Sequence, residues 1–277
     1  MTRSLLLLLA LSLFTSSCGG TDGVGTVRVS LSGEEASREG FPVGDIAFAD
    51  GWSVQFERVI VSLVDFRLAA SDGDEAAIVA DPIVADLHLG EPIAWTFEGV
   101  HARRWDRVSY HFGPPTAASR KVGAVDDAVI ASMIANGHAL HLEGVATRGD
   151  VSVPFAFGLD LNVDATRCEG ADATEGLVVR EATFNDAQLT IHLDHLFFDS
   201  YATDEPAMRF DPMAAVVGDD DLLTLDDLAT QSTTDVRDAE GEPLLVDGAP
   251  LVYDAGDLPG RSEEHTSQLQ SPCNLVC

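Results

Sequence analysis

The stretch from Thr190 to Asp199 combines more ligand chemistry with apolar surface than any other part of the chain. It carries two imidazoles, His192 and His195, and two carboxylates, Asp194 and Asp199, beside two phenylalanines. Imidazole nitrogens with a carboxylate suit Zn, Cu or non-haem Fe, whereas carboxylates alone suit Ca. The spacing matches no strict metal motif such as HExxH. These four residues are a candidate metal site; the alternative is a strand end whose histidines hydrogen-bond to backbone or to a neighbouring carboxylate.

The residues around His192 alternate as a half-buried strand does. Leu189, Ile191 and Leu193 point one way, while His192 and Asp194 share the polar face. His195 would fall on the apolar face if the strand continued. If the strand ends near Asp194, His195 is able to turn and join the other two.

A second acidic cluster surrounds Leu223 and resembles an EF-hand loop. With Leu223 at the hydrophobic loop position, Asp220 falls on a ligand position and Asp227 on the final acidic one. Asp221 stands where the turn glycine of such a loop belongs. Asp220 and Asp227 are therefore a possible calcium site. The alternative is a solvated turn in which Thr224 caps a short helix and Asp227 closes a capping box.

The N-terminus has the features of an export signal. A positively charged start, Met1–Arg3, precedes an apolar run, Ser4–Phe14, which is shorter than the about 20 residues of a membrane span. The cysteine that follows small residues, Cys18, resembles the lipobox of bacterial lipoproteins, which implies lipidation at Cys18 and anchoring in the membrane. Thr15 stands where such motifs usually have leucine, so periplasmic or secreted release remains the alternative. Gly19–Gly20 after the cysteine imply, by the same resemblance, the outer membrane.

The last residues differ in kind from the rest. From Arg261 onward the sequence resembles the translation of a sequencing adapter, so residues 261–277 are interpreted as a non-native tail and excluded.

Composition limits the classes of partner. Asp and Glu number 46 against 16 Lys and Arg, which gives a formal net charge of −30. Nucleic acid would be repelled, whereas metal ions and basic partners are favoured. Between the two ends only Cys168 remains, so no internal disulfide framework can form. Cys168 could pair with a cysteine outside this core, be buried, or serve as a soft ligand.

Short alternating runs predict an all-β fold, an antiparallel β-sandwich with one short helix and an acidic, loosely structured C-terminal segment. Thr26–Leu31 opens the fold as a strand, and Trp52–Leu68 is long enough for one bent strand or for two. The predicted organisation is a lipoprotein signal peptide at 1–18, a tether at 19–25, a β-sandwich domain at 26–200, the acidic segment at 201–260 and the tail at 261–277.

Two local patterns are specific. His138–Ala146 and Val151–Leu161 predict a hairpin whose turn contains Arg148-Gly149-Asp150; that triplet could be read as an adhesion motif, but Gly-Asp is typical of the turn itself. Val125–Ile134 has helical spacing, with Asn136-Gly137 as its stop, and we expect this helix to cover an end of the sandwich.

Two resemblances to known families follow from these elements. Phe56–Leu68, Val84–Leu87 and Arg107–Tyr110 look like parts of secreted β-sandwich lipoprotein domains of uncharacterised function. The order of elements from Asn136-Gly137-His138 through Phe155-Ala156-Phe157 to Cys168 resembles the MbnP-like periplasmic copper-binding family. That likeness implies a sandwich with metal-binding histidines that works beside a di-haem partner.

The chain has no Gly-rich phosphate loop, GxSxG elbow or CxxC pair, so we expect no enzyme. We expect a cell-envelope lipoprotein with a non-catalytic binding or structural role, which coordinates a metal ion at His192, Asp194 and His195. The alternatives are a copper- or zinc-handling protein of MbnP-like type, and a carbohydrate- or protein-binding module. Such a module would present an exposed tryptophan to an envelope protein or glycan; the chain has Trp52, Trp95 and Trp105.

Overall fold

The computed structural model describes residues 23–73, 78–161, 163–166, 168, 176–199, 206–232 and 234–252. The strands, in chain order, are β1 (Val24–Ser32), β2 (Ser53–Ala69), β3 (Ile78–Val79), β4 (Ile83–Asp86), β5 (Ile93–His101), β6 (Arg104–Trp105), β7 (Arg107–Phe112), β8 (Arg120–Val122), β9 (Leu140–Arg148), β10 (Val151–Leu159), β11 (Val163–Thr166), β12 (Leu177–Val178), β13 (Phe184–Thr190), β14 (Leu245–Val246) and β15 (Ala249–Pro250). The helices are α1 (Ala36–Glu39), α2 (Asp127–Asn136), α3 (Asp211–Ala214) and α4 (Leu225–Leu228), with 3-10 turns at Leu87–Leu89 and Asp194–Phe197. The predicted all-β class is confirmed.

The larger sheet is organised around β2. This single strand of 17 residues pairs with β9 along its first half, with β4 at its middle and with β7 at its end. Register shifts interrupt its ladders between Phe56 and Arg58 and between Leu63 and Asp65, and such bulges bend a strand. The sequence was compatible with one bent strand or with two strands, and the structure has one bent strand.

The smaller sheet has the order β13-β1-β5. β1 pairs antiparallel with β5 but parallel with β13, from Thr26 opposite Phe184 to Ser32 opposite Thr190. The alternate residues Val27, Val29 and Leu31 are completely buried, as expected of a strand with one face on the core. β4 and β8 also pair in parallel, so the sandwich is mixed in its pairing.

The helix α2 ends at the predicted stop and begins with a side-chain cap. The side chain of Asp126 accepts from the backbone N–H of Ala128, and Gly137 closes the helix in the left-handed conformation, with φ 74°. Its Val129 and Met133 pack against Ile60 of β2 and Val84 of β4, in a cluster separate from the main core. The expectation that α2 covers an end of the sandwich is therefore wrong. Successive residues of a strand point to opposite faces, so the β2 and β4 residues that α2 contacts lie on the outer face of the larger sheet.

The predicted hairpin β9–β10 is present, with a two-residue turn in which Gly149 takes a φ of 58°. β10 also receives the chain after residue 206. The backbone of Leu223 exchanges hydrogen bonds with Pro154 and Ala156 on the free edge of β10, and its side chain is fully buried.

The acidic segment is more firmly packed than its composition predicts. Phe210, Met213, Leu223 and Leu228 all belong to the main core. Apolar residues spaced along an acidic sequence thus bring 206–228 onto the sandwich, although the segment was predicted to be loose.

At the other end of the described chain, β1 begins at Val24, inside the stretch predicted as tether. Residues 1–22 and 253–277, with Cys18 and the predicted tail, lie outside the described residues.

Candidate functional site

The histidine-bearing stretch turns at the end of β13. The strand ends at Thr190, but Ile191 and Leu193 remain buried, so the alternation continues for three further residues. A 3-10 turn, Asp194–Phe197, then reverses the path. As a result the rings of His192 and His195 stack, with centroids 5.3 Å apart and planes 19° apart. The structure thus gives the second of the two strand endings considered from the sequence, with His195 turned back to His192.

A carboxylate that sequence reasoning missed lies beside this pair. Oε2 of Glu34 lies 3.3 Å from Nδ1 of His192. Glu34 lies two residues after the end of β1, where its N–H donates to the hydroxyl of Ser32. Because β1 and β13 run in parallel, with Ser32 opposite Thr190, the residues after both strands emerge at the same end of the smaller sheet. No local pattern announces this contact, since it depends on a long-range parallel pairing.

The contact with Glu34 shifts both pKa values in the direction of an ion pair. The hydrogen bond from His192 holds the pKa of Glu34 below its usual value of 4.5, against the opposing effect of burial. The same hydrogen bond raises the pKa of His192 above its usual 6.5, again against burial, with a smaller contribution from the charge of Asp194.

The other ring nitrogen of His192 has the features of a ligand atom. Nε2 of His192 is buried and has no hydrogen-bond partner among the residues that the structure describes. A buried polar atom without a partner is uncommon and costly in a native fold. With the Glu34 carboxylate ionised, Nδ1 carries the proton, and neutral His192 then presents a lone pair at Nε2. A carboxylate bound to one imidazole nitrogen while a metal occupies the other is a common arrangement in metal sites.

Of the four residues predicted as metal ligands, three lie together. His192 and His195 stack, and Asp194, at the start of the 3-10 turn, influences the pKa of His192. Asp199 has a different set of contacts: its Oδ1 accepts from the N–H of Ala207 and its Oδ2 from Nε of Arg209, at 3.0 and 2.7 Å. Both of its oxygens thus fasten the chain on either side of the undescribed residues 200–205.

The arrangement is a pair of imidazoles with flanking carboxylates, and not a complete cage. Within the described ranges, no group of three or more His, Cys, Asp or Glu side chains is arranged to hold a metal ion. The residues fit a metal in a more limited sense. Nε2 of His192 has no partner in the described part of the chain, and the Glu34 carboxylate, which can only accept, favours the tautomer with the proton on Nδ1.

A pocket of about 320 Å³ adjoins the pair and shares Glu34 and Asp194 with it. Its remaining walls come from the chain between Glu35 and Ile46. Acidic and apolar side chains therefore meet in one concavity next to the histidines.

Asp220 and Asp227, the calcium candidates, have the contacts expected of a turn that caps a short helix. Thr224 and Asp227 form a capping box at the start of α4, with each side chain bonded to the other's backbone N–H. Among the described residues, Asp220 accepts only a long hydrogen bond, 3.4 Å, from the N–H of Leu222. Asp221 does take the left-handed conformation that an EF-hand loop reserves for glycine, with φ 59°.

The remaining candidate residues are buried or held. Trp52, Trp95 and Trp105 are at most 7% exposed, so none is presented to a glycan as a binding module would require. Cys168 is also buried. Arg148 of the hairpin turn is held by Asp211 and Glu240, which does not suit an adhesion motif that must offer its arginine.

The chain matches no protein-family model, and neither a curated protein nor a solved structure was found to be similar to it. No helix among the described residues is both long and apolar enough to cross a membrane.

Proposed function

We propose that this chain is a lipid-anchored protein of the bacterial cell envelope with a non-catalytic binding role, and that it binds a Zn- or Cu-type ion at His192 and His195. Glu34 holds the tautomer of His192, and Asp194 contributes negative charge. The observation that carries the proposal is the buried Nε2 atom of His192, which has no hydrogen-bond partner among the described residues while Nδ1 contacts Glu34.

The class of metal follows from the donor atoms. Imidazole nitrogen suits Zn and Cu, whereas Ca prefers oxygen ligands throughout. The stacked rings bring a second imidazole beside the first, with centroids 5.3 Å apart. The net charge of −30 favours accumulation of cations near the surface. Water or a partner would complete the coordination shell, since the described residues provide no third inner ligand.

The envelope location rests on the sequence of the first 20 residues. A charged start, a short apolar run and Cys18 after small residues are typical of bacterial lipoproteins. We expect a Cys18→Ser variant to incorporate no labelled palmitate and to be absent from the membrane fraction. Unchanged fractionation of that variant would contradict the anchor without touching the metal site.

The metal is tested on the full chain by elemental analysis and by titration with Zn²⁺ and Cu²⁺. We expect the wild type to retain stoichiometric metal and the His192→Ala/His195→Ala variant to lose it. His111→Ala is the matched control, because the His111 ring pairs with the exposed carboxylate of Asp164 on the larger sheet and is not part of the candidate site. Equal metal content in wild type and double variant, or none in either, would refute the site.

A further inference from the structure

The pocket beside the histidine pair has a chemistry of its own. It holds about 320 Å³, at the small end of the range for ligand sites. We propose that it binds a protonated amine carried on a compact apolar group, of the size of an amino-acid side chain or an arylalkylamine. This goes beyond the metal site, because Glu35, Asp45 and Ile46, which line the pocket, are not among the residues assigned to the metal.

Four carboxylates line the pocket: Glu34, Glu35, Asp45 and Asp194. Glu34 has His192 as its partner, but Glu35, Asp45 and Asp194 form no ion pair with an arginine or lysine in the described part of the chain. The charge of Asp194 acts on His192, whereas those of Glu35 and Asp45 have no cationic side chain paired with them in the described ranges. A cation that enters would form charge-assisted hydrogen bonds, the stronger kind.

The rest of the lining is apolar. Phe41 forms part of it, together with Val43 and Ile46. Ile46 is 40% exposed, so its side chain offers surface that a ligand can cover. Two backbone hydrogen bonds, both 3.0 Å, join Val43 to Ile46 and fix this wall.

The wall is also supported from behind. The ring of Phe41 packs edge to face against Phe48 and Phe197, with centroids 5.8 and 6.0 Å apart. The pocket is thus held in shape by core aromatics before any ligand arrives, which reduces the entropy lost on binding.

Acidic and apolar surfaces in one small pocket discriminate among ligand classes. An anion would be repelled by the carboxylates, and a neutral apolar molecule would leave them without a partner. A hydrated metal ion would gain nothing from the wall formed by Val43 and Ile46. An ammonium group on a hydrocarbon body satisfies both surfaces, with the charge toward Asp45 and Glu35 and the carbon body on the wall.

Calorimetric titration of the full chain with 2-phenylethylamine tests the proposal, and the neutral 2-phenylethanol is the matched ligand. We expect saturable binding of the amine and none of the alcohol. The exposed positions Asp45 and Glu35 allow a Glu35→Gln/Asp45→Asn variant without disturbing the core. Loss of charge-assisted hydrogen bonds should weaken amine binding at least about tenfold.

An Ile46→Ser variant tests the apolar wall and should also weaken binding, whereas Asp150→Asn, in the distant hairpin turn, should not. Melting curves of each variant establish that it is folded. Absence of amine binding by the wild type, equal binding of the alcohol, or unchanged affinity in Glu35→Gln/Asp45→Asn would overturn the proposal.

The amine titration is repeated in EDTA and with the His192→Ala/His195→Ala variant. These repeats distinguish a failure of the amine pocket from a failure of the metal site. Amine binding that persists in both confirms a pocket independent of the metal. Loss of amine binding in EDTA would overturn this proposal and leave the metal site standing.

Discussion

Oε2 of Glu34 lies 3.3 Å from Nδ1 of His192, although 158 positions separate the two residues in the chain. The parallel pairing of β1 with β13 makes this contact possible, because both residues follow strands that end at the same edge of the sheet. The contact links the stability of the fold to the protonation of the candidate metal ligand.

The Glu34–His192 contact predicts a specific dependence of stability on pH. The pKa of His192 is raised, so its contribution is complete below its usual 6.5 and is lost as pH rises through the raised value. The pKa of Glu34 is lowered, so its contribution is complete above its usual 4.5 and is lost as pH falls through the lowered value. The contact therefore stabilises most between those two usual values.

We expect Glu34→Gln to lower the free energy of unfolding within that window by only about 1 kcal/mol, because Glu34 is partly exposed. The loss should be smaller at alkaline pH, where His192 is neutral. Urea unfolding of both proteins across the pH range measures this difference. Glu98→Gln, on the exposed side of β5, is the control and should show no such window. A loss that is equal at all pH values would contradict the ion pair.

The ion pair of Arg148 with Asp211 predicts that the acidic segment is fastened to the hairpin. Nη1 of Arg148 lies 2.6 Å from Oδ1 of Asp211, which also accepts from Nε1 of Trp52 and is 7% exposed on its side chain. Arg148→Ala leaves this buried carboxylate without its cation, so we expect a loss of about 3 kcal/mol in chemical unfolding. Glu240→Gln removes only the exposed partner of Arg148 and should change stability by less than about 0.5 kcal/mol. Similar effects of the two variants would refute the buried fastening.

The contacts of Asp199 predict a structural role. Asp199→Ala removes the acceptor of Arg209 and of the Ala207 N–H, so we expect a loss of about 2–3 kcal/mol in the free energy of unfolding. Metal content should remain that of the wild type, in contrast to the His192→Ala/His195→Ala variant. Elemental analysis and thermal unfolding of the same samples separate the two outcomes, and metal loss in a folded Asp199→Ala protein would return Asp199 to the ligand set.

The capping box of α4 predicts a local effect that calcium does not alter. Thr224→Ala removes the side chain that accepts from the N–H of Asp227, which should cost about 1 kcal/mol. The same loss is expected in Ca²⁺ and in EGTA. Stabilisation of the wild type by Ca²⁺ that Asp220→Asn abolishes would show that the loop binds calcium after all.

Elements that depend on neighbouring residues could be predicted from the sequence. The conformation is indicated within a few residues for the β-rich run Trp52–Leu68, for the Gly149-Asp150 turn and for the Gly137 stop of α2. The approach of His195 to His192 could likewise be predicted, because it required only that the strand end before His195.

Contacts between distant parts of the chain could not be predicted. Nothing in the sequence pairs β1 in parallel with β13, so Glu34 did not enter the predicted site. The position of α2 on the outer face could not be predicted, because the sequence does not show that Ile60 and Val84 lie on the face opposite the main core. Leu223 and Phe210 were likewise obscured by the acidic residues around them.

The central position of β1 in the smaller sheet has a consequence for the order of assembly. β1 is the first strand among the described residues, yet one of its two edges can pair only when β13 is present. During synthesis from the N-terminus that edge stays open until residues 184–190 have followed, and pairings of such sequence separation form slowly. The smaller sheet, and with it the Glu34–His192 contact, can therefore be completed only after β13 has been synthesised.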